Sequence, residues 1–221
     1  MIPRGRTAIF TDKFPLLGPI IWVLSAQYFA AQIVVAAGWA RGYNWAGNFI
    51  SDLGNTACGQ FAGRYVCSPD HALMNASFIL LGLTMAVGSL LIYQEFRESR
   101  GSLMGFSLMA LAGLGSVLVG VFPENTVTGL HVLGAFLALG IGDVSLLILA
   151  RSLTNVRPSF RIFTVWMGII SVVGFLLFTS GAHLGVGRGT LERVASYPQT
   201  IWLILFGLYM TASHFRHRKL S

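Results

Sequence analysis

The sequence predicts an all-α fold, an integral membrane bundle of six transmembrane helices that forms a single domain over residues 1–221, with both termini cytoplasmic. Three observations carry that expectation. Of the 221 residues, 54% are hydrophobic and 10% charged, with a mean hydropathy of +0.69; that leaves too few charges to coat a water-soluble globule of this size. Six apolar runs approach the roughly 20 residues needed to cross about 30 Å of hydrocarbon. The cations lie between those runs and favour one side.

In chain order the spans fall at about Leu16 to Ala37, Leu73 to Tyr93, Leu103 to Phe122, Leu130 to Ala150, Ile162 to Gly181 and Thr200 to Ser213, the last being the shortest. With the N-terminus inside, eleven cations (Arg4, Arg6, Lys13, Arg97, Arg100, Arg151, Arg157, Arg161, Arg216, Arg218 and Lys219) fall on inner segments. Four (Arg41, Arg64, Arg188 and Arg193) fall outside, an asymmetry of the kind that orients polytopic proteins. The net charge of +7 therefore points to anionic membrane lipids as partners, not to nucleic acid. Residues Met1 to Pro15 carry no cleavable signal pattern, and the first apolar run has the length of a span. The expected location is the cytoplasmic membrane, multi-pass.

Trp39, Tyr43 and Trp45 after the first span are amphipathic rings suited to the headgroup level. The second span opens with Ser68-Pro69-Asp70-His71, read as an N-cap serine, a proline at the first helical position and a first-turn acid. The fourth has the same arrangement, with Thr128 as cap and His131 three residues on. Aligning these histidines suggests that helices 2–3 and 4–5 are a degenerate hairpin repeat of roughly 60 residues. Small residues, as in Gly101-x-x-x-Gly105 and the set Ala110, Gly113, Gly115 and Gly120, permit close helix contact.

The long polar interruption from Asn44 to His71 is where chemistry is expected. Its segment Asn48-Phe-Ile-Ser-Asp-Leu-Gly54 mixes apolar and polar residues, so it should dip back among the helices, its backbone covered by protein because lipid cannot satisfy it. Cys58 and Cys67 both fall in this outer loop and are expected to form a disulfide that holds its shape. His71, His131 and His183 fall at outer helix ends near Ser51, Asp52, Asp70 and Glu124. Three imidazoles with an adjacent carboxylate would suit a catalytic zinc ion, with Glu124 or Asp52 as base and Ser51 steadying an oxyanion. No His-Glu-x-x-His or Cys-x-x-Cys spacing supports a metal, and the convergence of helices 2, 4 and 5 is assumed. A non-metal polar pocket built from the same residues is the alternative. Asn48, Arg188 and Arg193 are candidates for binding a ligand headgroup, or the two arginines pair with Asp52 or Glu124 and lock the loops together. The run Gly181 to Arg193 lacks the Gly-Lys-Ser/Thr ending and the preceding strand of a phosphate loop. Asp143, an acid well inside the fourth span, costs roughly 2.5 to 3.5 kcal/mol to insert and should have a partner or a purpose.

The Asn48 to Gly54 segment, Phe122-Pro-Glu124 after helix 3 and His131 opening helix 4 resemble the pattern of an uncharacterised family of prokaryotic membrane proteins, the domain of unknown function family 998. The resemblance covers nearly the whole chain. It implies a six-helix membrane fold and no established activity; Glu124 stands where an aspartate is expected there or one position on, and the cysteine pair is an individual addition. A looser similarity is to the ceramidase and progestin-receptor-like superfamily, whose members use a Ser, an Asp and three His around zinc to cleave lipid amides. Ser51, Asp52, His71, His131 and His183 match that inventory, but the superfamily's paired histidines on a seventh span are missing. Three functions follow as expectations: a pocket on the outer face that binds a lipid or small amphiphile, a metal-dependent membrane hydrolase of a lipid, and an accessory subunit of a homo-oligomer or larger membrane complex.

Overall fold

The computed structural model describes residues 14–39, 41–97, 99–182 and 184–218, with backbone alone at 217 and 218. Six helices account for most of it: α1 Leu17–Ala37, α2 His71–Tyr93, α3 Arg100–Val121, α4 Thr128–Ser152, α5 Pro158–Ser180 and α6 Arg188–Arg218. The first five are long and apolar enough to cross a membrane. A single 3-10 turn at Leu24–Ala26 interrupts α1, and Phe136–Ile141 in α4 is π-helical.

Each helix packs against its neighbours in sequence, and α6 closes the ring against α1. Backbones touch where side chains are absent. A Cβ on Gly82 of α2 would lie 2.4 Å from the Gly113 carbonyl of α3, and one on Gly115 of α3 would lie 2.6 Å from the Gly134 carbonyl of α4. Buried side chains then bond across the gaps, as with Ser25 and Thr84 at 2.9 Å and Trp202 Nε1 donating to Thr164 Oγ1 at 2.8 Å. In lipid such packing and hydrogen bonds hold helices together, since expelling water does not. One end of the ring is plugged by aromatics. Trp22 and Trp202 are wholly buried with ring centroids 5.3 Å apart, and Phe106 and Phe206 pack on them.

The first five helices start and stop within four residues of the predicted bounds, whereas the sixth runs over 31 residues, far beyond Thr200 to Ser213. Pro198 lies inside it and does not end it. Glu192 and Arg193, read as loop charges, are buried in its first turns, and Gly174 lets α5 approach the Val194–Ala195 backbone there to within 2.7 Å of an added Cβ. The third connector is therefore short, and its His183 lies outside the described residues.

Both expected helix caps are also corrected. Helix α2 begins at His71 without a side-chain cap, because Ser68 Oγ donates instead to the Leu53 carbonyl at 2.7 Å. Thr128 is the first residue of α4, and its hydroxyl donates back to the Glu124 carbonyl at 2.9 Å.

Candidate functional site

The three connectors after α1, α3 and α5 gather at one rim of the ring. Asn55 Nδ2 donates to Glu124 Oε1 at 2.9 Å, the Thr56 N–H to Asn125 Oδ1 at 3.1 Å, and the Thr190 N–H to the Ala46 carbonyl at 3.2 Å. The first connector contains a wholly local device, an antiparallel hairpin of β1 Gly59–Phe61 and β2 Arg64–Val66. Ala62 and Gly63 turn it with φ of 47° and 81°, the positive values a two-residue turn requires. Cys58 and Cys67 flank the strands and are joined by the expected disulfide. The hairpin's product is the position of Arg64, which lies beside its cross-strand partner Phe61 and over Phe49, 3.9 Å from that ring's centroid.

The segment Asn48 to Gly54 does fold back and is covered by protein: Ile50, Asp52 and Leu53 are buried, and Ser51–Gly54 forms a 3-10 turn. Its backbone accounting is nearly complete. Tyr43 OH donates to the Phe49 carbonyl at 2.6 Å, Arg193 Nη1 to the Asn48 carbonyl at 3.0 Å, Ser68 Oγ to the Leu53 carbonyl and Asn75 Nδ2 to the Gly54 carbonyl at 2.9 Å. The Phe49 N–H donates to Asp52 Oδ2 at 2.8 Å and the Ile50 N–H to Glu192 Oε2. A Cβ at position 54 would stand 2.3 Å from Asn75 Oδ1, so a side chain there would push aside the amide that holds the Gly54 carbonyl.

Asp52 has no solvent exposure and is held by Asn48 Nδ2 at 3.0 Å and by the Arg64 guanidinium, whose Nε lies 2.7 Å from Oδ2 and whose Nη2 reaches Oδ1. The same Nη2 lies 3.5 Å from Glu124 Oε2. The acids are thus locked by Arg64, not by the predicted Arg188 or Arg193. Arg193 instead points Nη1 at the Trp45, Asn48 and Gly189 carbonyls and Nη2 at Tyr43 OH, tying α6 to the first connector, while its Nε is buried and meets no acceptor among the described residues. Burial pushes the Glu124 carboxyl up to about 8, and the neighbouring Asp52 charge pushes the same way. Burial disfavours the Arg64 cation, but hydrogen bonds to and the charge of Asp52 more than offset this and leave its pKa raised.

Inside this lattice lies a cavity in two parts. The outer part, about 380 Å³, is walled by Phe136, Leu139, Phe175 and Phe178, with Ser51, Arg64, Glu124, His131, Arg188 and Glu192 around its polar end. Val132, Phe136, Thr179 and Arg188 at its edge are exposed, so it opens sideways between α4 and α5. The inner part, about 60 Å³, reaches down to Ser116, Gln199 and Thr200. Ser51, His131, Ala135, Leu139 and Glu192 line both. Ser51 Oγ donates to Glu192 Oε1 at 3.0 Å, and His131 Nδ1 carries its hydrogen toward the Phe122 carbonyl at 2.9 Å, which leaves Nε2 an acceptor in the neutral ring. Deeper still, Gln199, with the amide oriented so that both contacts are hydrogen bonds, donates to Asp143 Oδ1 at 3.2 Å and the Ala138 carbonyl at 3.1 Å. Gln199 is thus a partner of the buried acid, while the neighbouring Ser145 hydroxyl donates to the Gly142 carbonyl at 2.6 Å.

The structure therefore brings together Asn48, Ser51, Asp52, Glu124, His131 and Arg188 around one rim and cavity. His71 is apart from the cavity lining; its Nδ1–H donates to the Ser68 carbonyl at 3.0 Å. Among the described residues no group of three His, Cys, Asp or Glu side chains is placed to hold a metal ion. Sequence reasoning missed Arg64, Glu192, Asn55, Asn75 and Gln199 as parts of the site. The alternation Gln60-Phe61 and Tyr65-Val66 about Ala62-Gly63, between two cysteines, was the signal for the hairpin that carries Arg64.

Five apolar helices of spanning length and a polar rim built from their connectors define a multi-pass membrane protein. The chain belongs to a family described as proteins of unknown function, DUF998, which matches residues 23–209. Among curated proteins and among solved structures, nothing matches.

Proposed function

We propose that this protein binds a lipid or other small amphiphile from the bilayer in the cavity between α4 and α5, its apolar part along Phe136, Phe175 and Phe178 and its polar part at Ser51, His131 and Glu124. The observation that carries this is the lateral opening. A cavity of about 380 Å³ falls in the range of small-molecule sites, roughly 300–1,000 Å³, and exposed Val132 and Phe136 on a spanning helix turn one side of its mouth toward the bilayer while exposed Ala62, Thr128 and Arg188 edge it at the polar rim. In this reading α6 is a sixth span, the termini are cytoplasmic, the rim is the outer face, and the membrane is the cytoplasmic one. The cation asymmetry and the disulfide in the first connector support that orientation.

Extraction and mass spectrometry of lipids from the purified protein test the binding. Ala135 lines both parts of the cavity, so Ala135→Trp fills it. The expected result is a near-stoichiometric amphiphile in the native protein that is lost from a folded Ala135→Trp variant. Equal lipid content in the two proteins overturns the reading.

A further inference from the structure

We propose that the amphiphile held in this cavity is anionic, with a carboxylate or phosphate head bound by Arg188. The inference rests on the cavity's being an amphiphile site and goes further by fixing the sign of the head.

Six charged side chains bear on the polar end: Glu124, Glu192, Arg64 and Arg188 line it, and Asp52 and Arg193 stand behind them. Five are committed to the protein. Asp52 is gripped by the Arg64 fork, with Glu124 against the same guanidinium and Asn55. Glu192 accepts from the Ile50 N–H and the Ser51 hydroxyl, and Arg193 is spent on three carbonyls and the Tyr43 hydroxyl. Arg188 is the exception. It is exposed at the mouth and, among the described residues, meets no acid and lies over the face of Phe49, 5.1 Å from the ring centroid. Arg64 lies over the same ring at 3.9 Å, so Phe49 contacts one committed and one uncommitted guanidinium.

Burial beside Asp52 raises the Glu124 carboxyl and so favours its neutral form, which lessens the negative charge facing Arg188. A planar guanidinium beside an apolar slot suits an oxyanion carried on an alkyl chain, for which it offers paired donors and a partly dehydrated setting. A cationic head would meet Arg188 at the mouth and find both cavity acids already hydrogen-bonded.

Diazirine-bearing palmitate, photocrosslinked to the protein in phosphatidylcholine nanodiscs at neutral pH, is competed with unlabelled palmitate, hexadecyl phosphate or hexadecanol. The expected result is that at least one anion competes about tenfold better than the alcohol, the scale of one charge-assisted hydrogen-bonded pair. In Arg188→Gln that advantage should vanish while hexadecanol still competes. Equal competition by all three in the native protein, abolished by Ala135→Trp, overturns the anionic head and leaves the cavity reading standing. Labelling that persists unchanged in Ala135→Trp overturns the cavity reading itself.

Discussion

At the scale of single residues, the segment Asn48 to Gly54 can be read position by position. Asn48 and Arg64 hold Asp52, Ser51 and the Ile50 N–H hold Glu192, Leu53 fills the core, and the missing side chain of Gly54 admits Asn75. Glu124 is the member whose ionisation the rim resists. Its carboxyl stands at about 8 in the fold against 4.5 as the ordinary value, because it is buried and faces Asp52, with Arg64 and Asn55 only partly compensating. A group whose pKa is raised by folding contributes stability that is complete below its unfolded pKa and is lost as pH rises through its folded one. The melting temperature should therefore fall by several degrees between about pH 5 and about pH 8 and level off above that, and Glu124→Gln should flatten the fall. Melting curves of the two proteins across that range check it; parallel slopes would contradict it.

At the scale of elements, the Cys58–Cys67 bridge closes the base of the hairpin that delivers Arg64 to Asp52 and Glu124. Cutting it should cost roughly 2 to 3 kcal/mol by restoring freedom to the unfolded chain, lowering the melting temperature and loosening the rim. The same bridge reports sidedness. On intact cells a membrane-impermeant phosphine followed by an impermeant maleimide should label both cysteines, and neither should react without the phosphine. Labelling that appears only after permeabilisation would turn the bundle over.

Element type was legible wherever hydropathy decides it. Helices α1 to α5 follow from long apolar runs, and the disulfide from two cysteines in one connector. The start of α6 was not legible, since Glu192, Arg193 and Pro198 read as loop; the Glu192 charge is buried against the Ile50 N–H and the Ser51 hydroxyl and the Arg193 charge against the Asn48 carbonyl and the Tyr43 hydroxyl, all contributed from some 140 to 150 residues away. Arg64 was hidden for the same reason, its partners lying 12 and 60 positions off. His131 lies in the first turn of α4 beside the rim, but its donor hydrogen is spent on the Phe122 carbonyl, a backbone bond that no residue spacing announces.

At the scale of the whole molecule, the ring is asymmetric from end to end. Tryptophan and phenylalanine fill one end, while the other stays hollow because its space is framed by hydrogen-bonded connectors and by the small residues Ala135 and Ala138. The hollow continues sideways into the outer cavity between α4 and α5, where Phe136 and Phe175 lie 6.1 Å apart. An experimental structure of the protein in lipid nanodiscs tests the account most directly. The account predicts elongated density entering between α4 and α5, its apolar length against Phe136 and Phe178 and its polar end at Ser51 and Arg188; a cavity occupied by water alone, or closed by side chains, would contradict it.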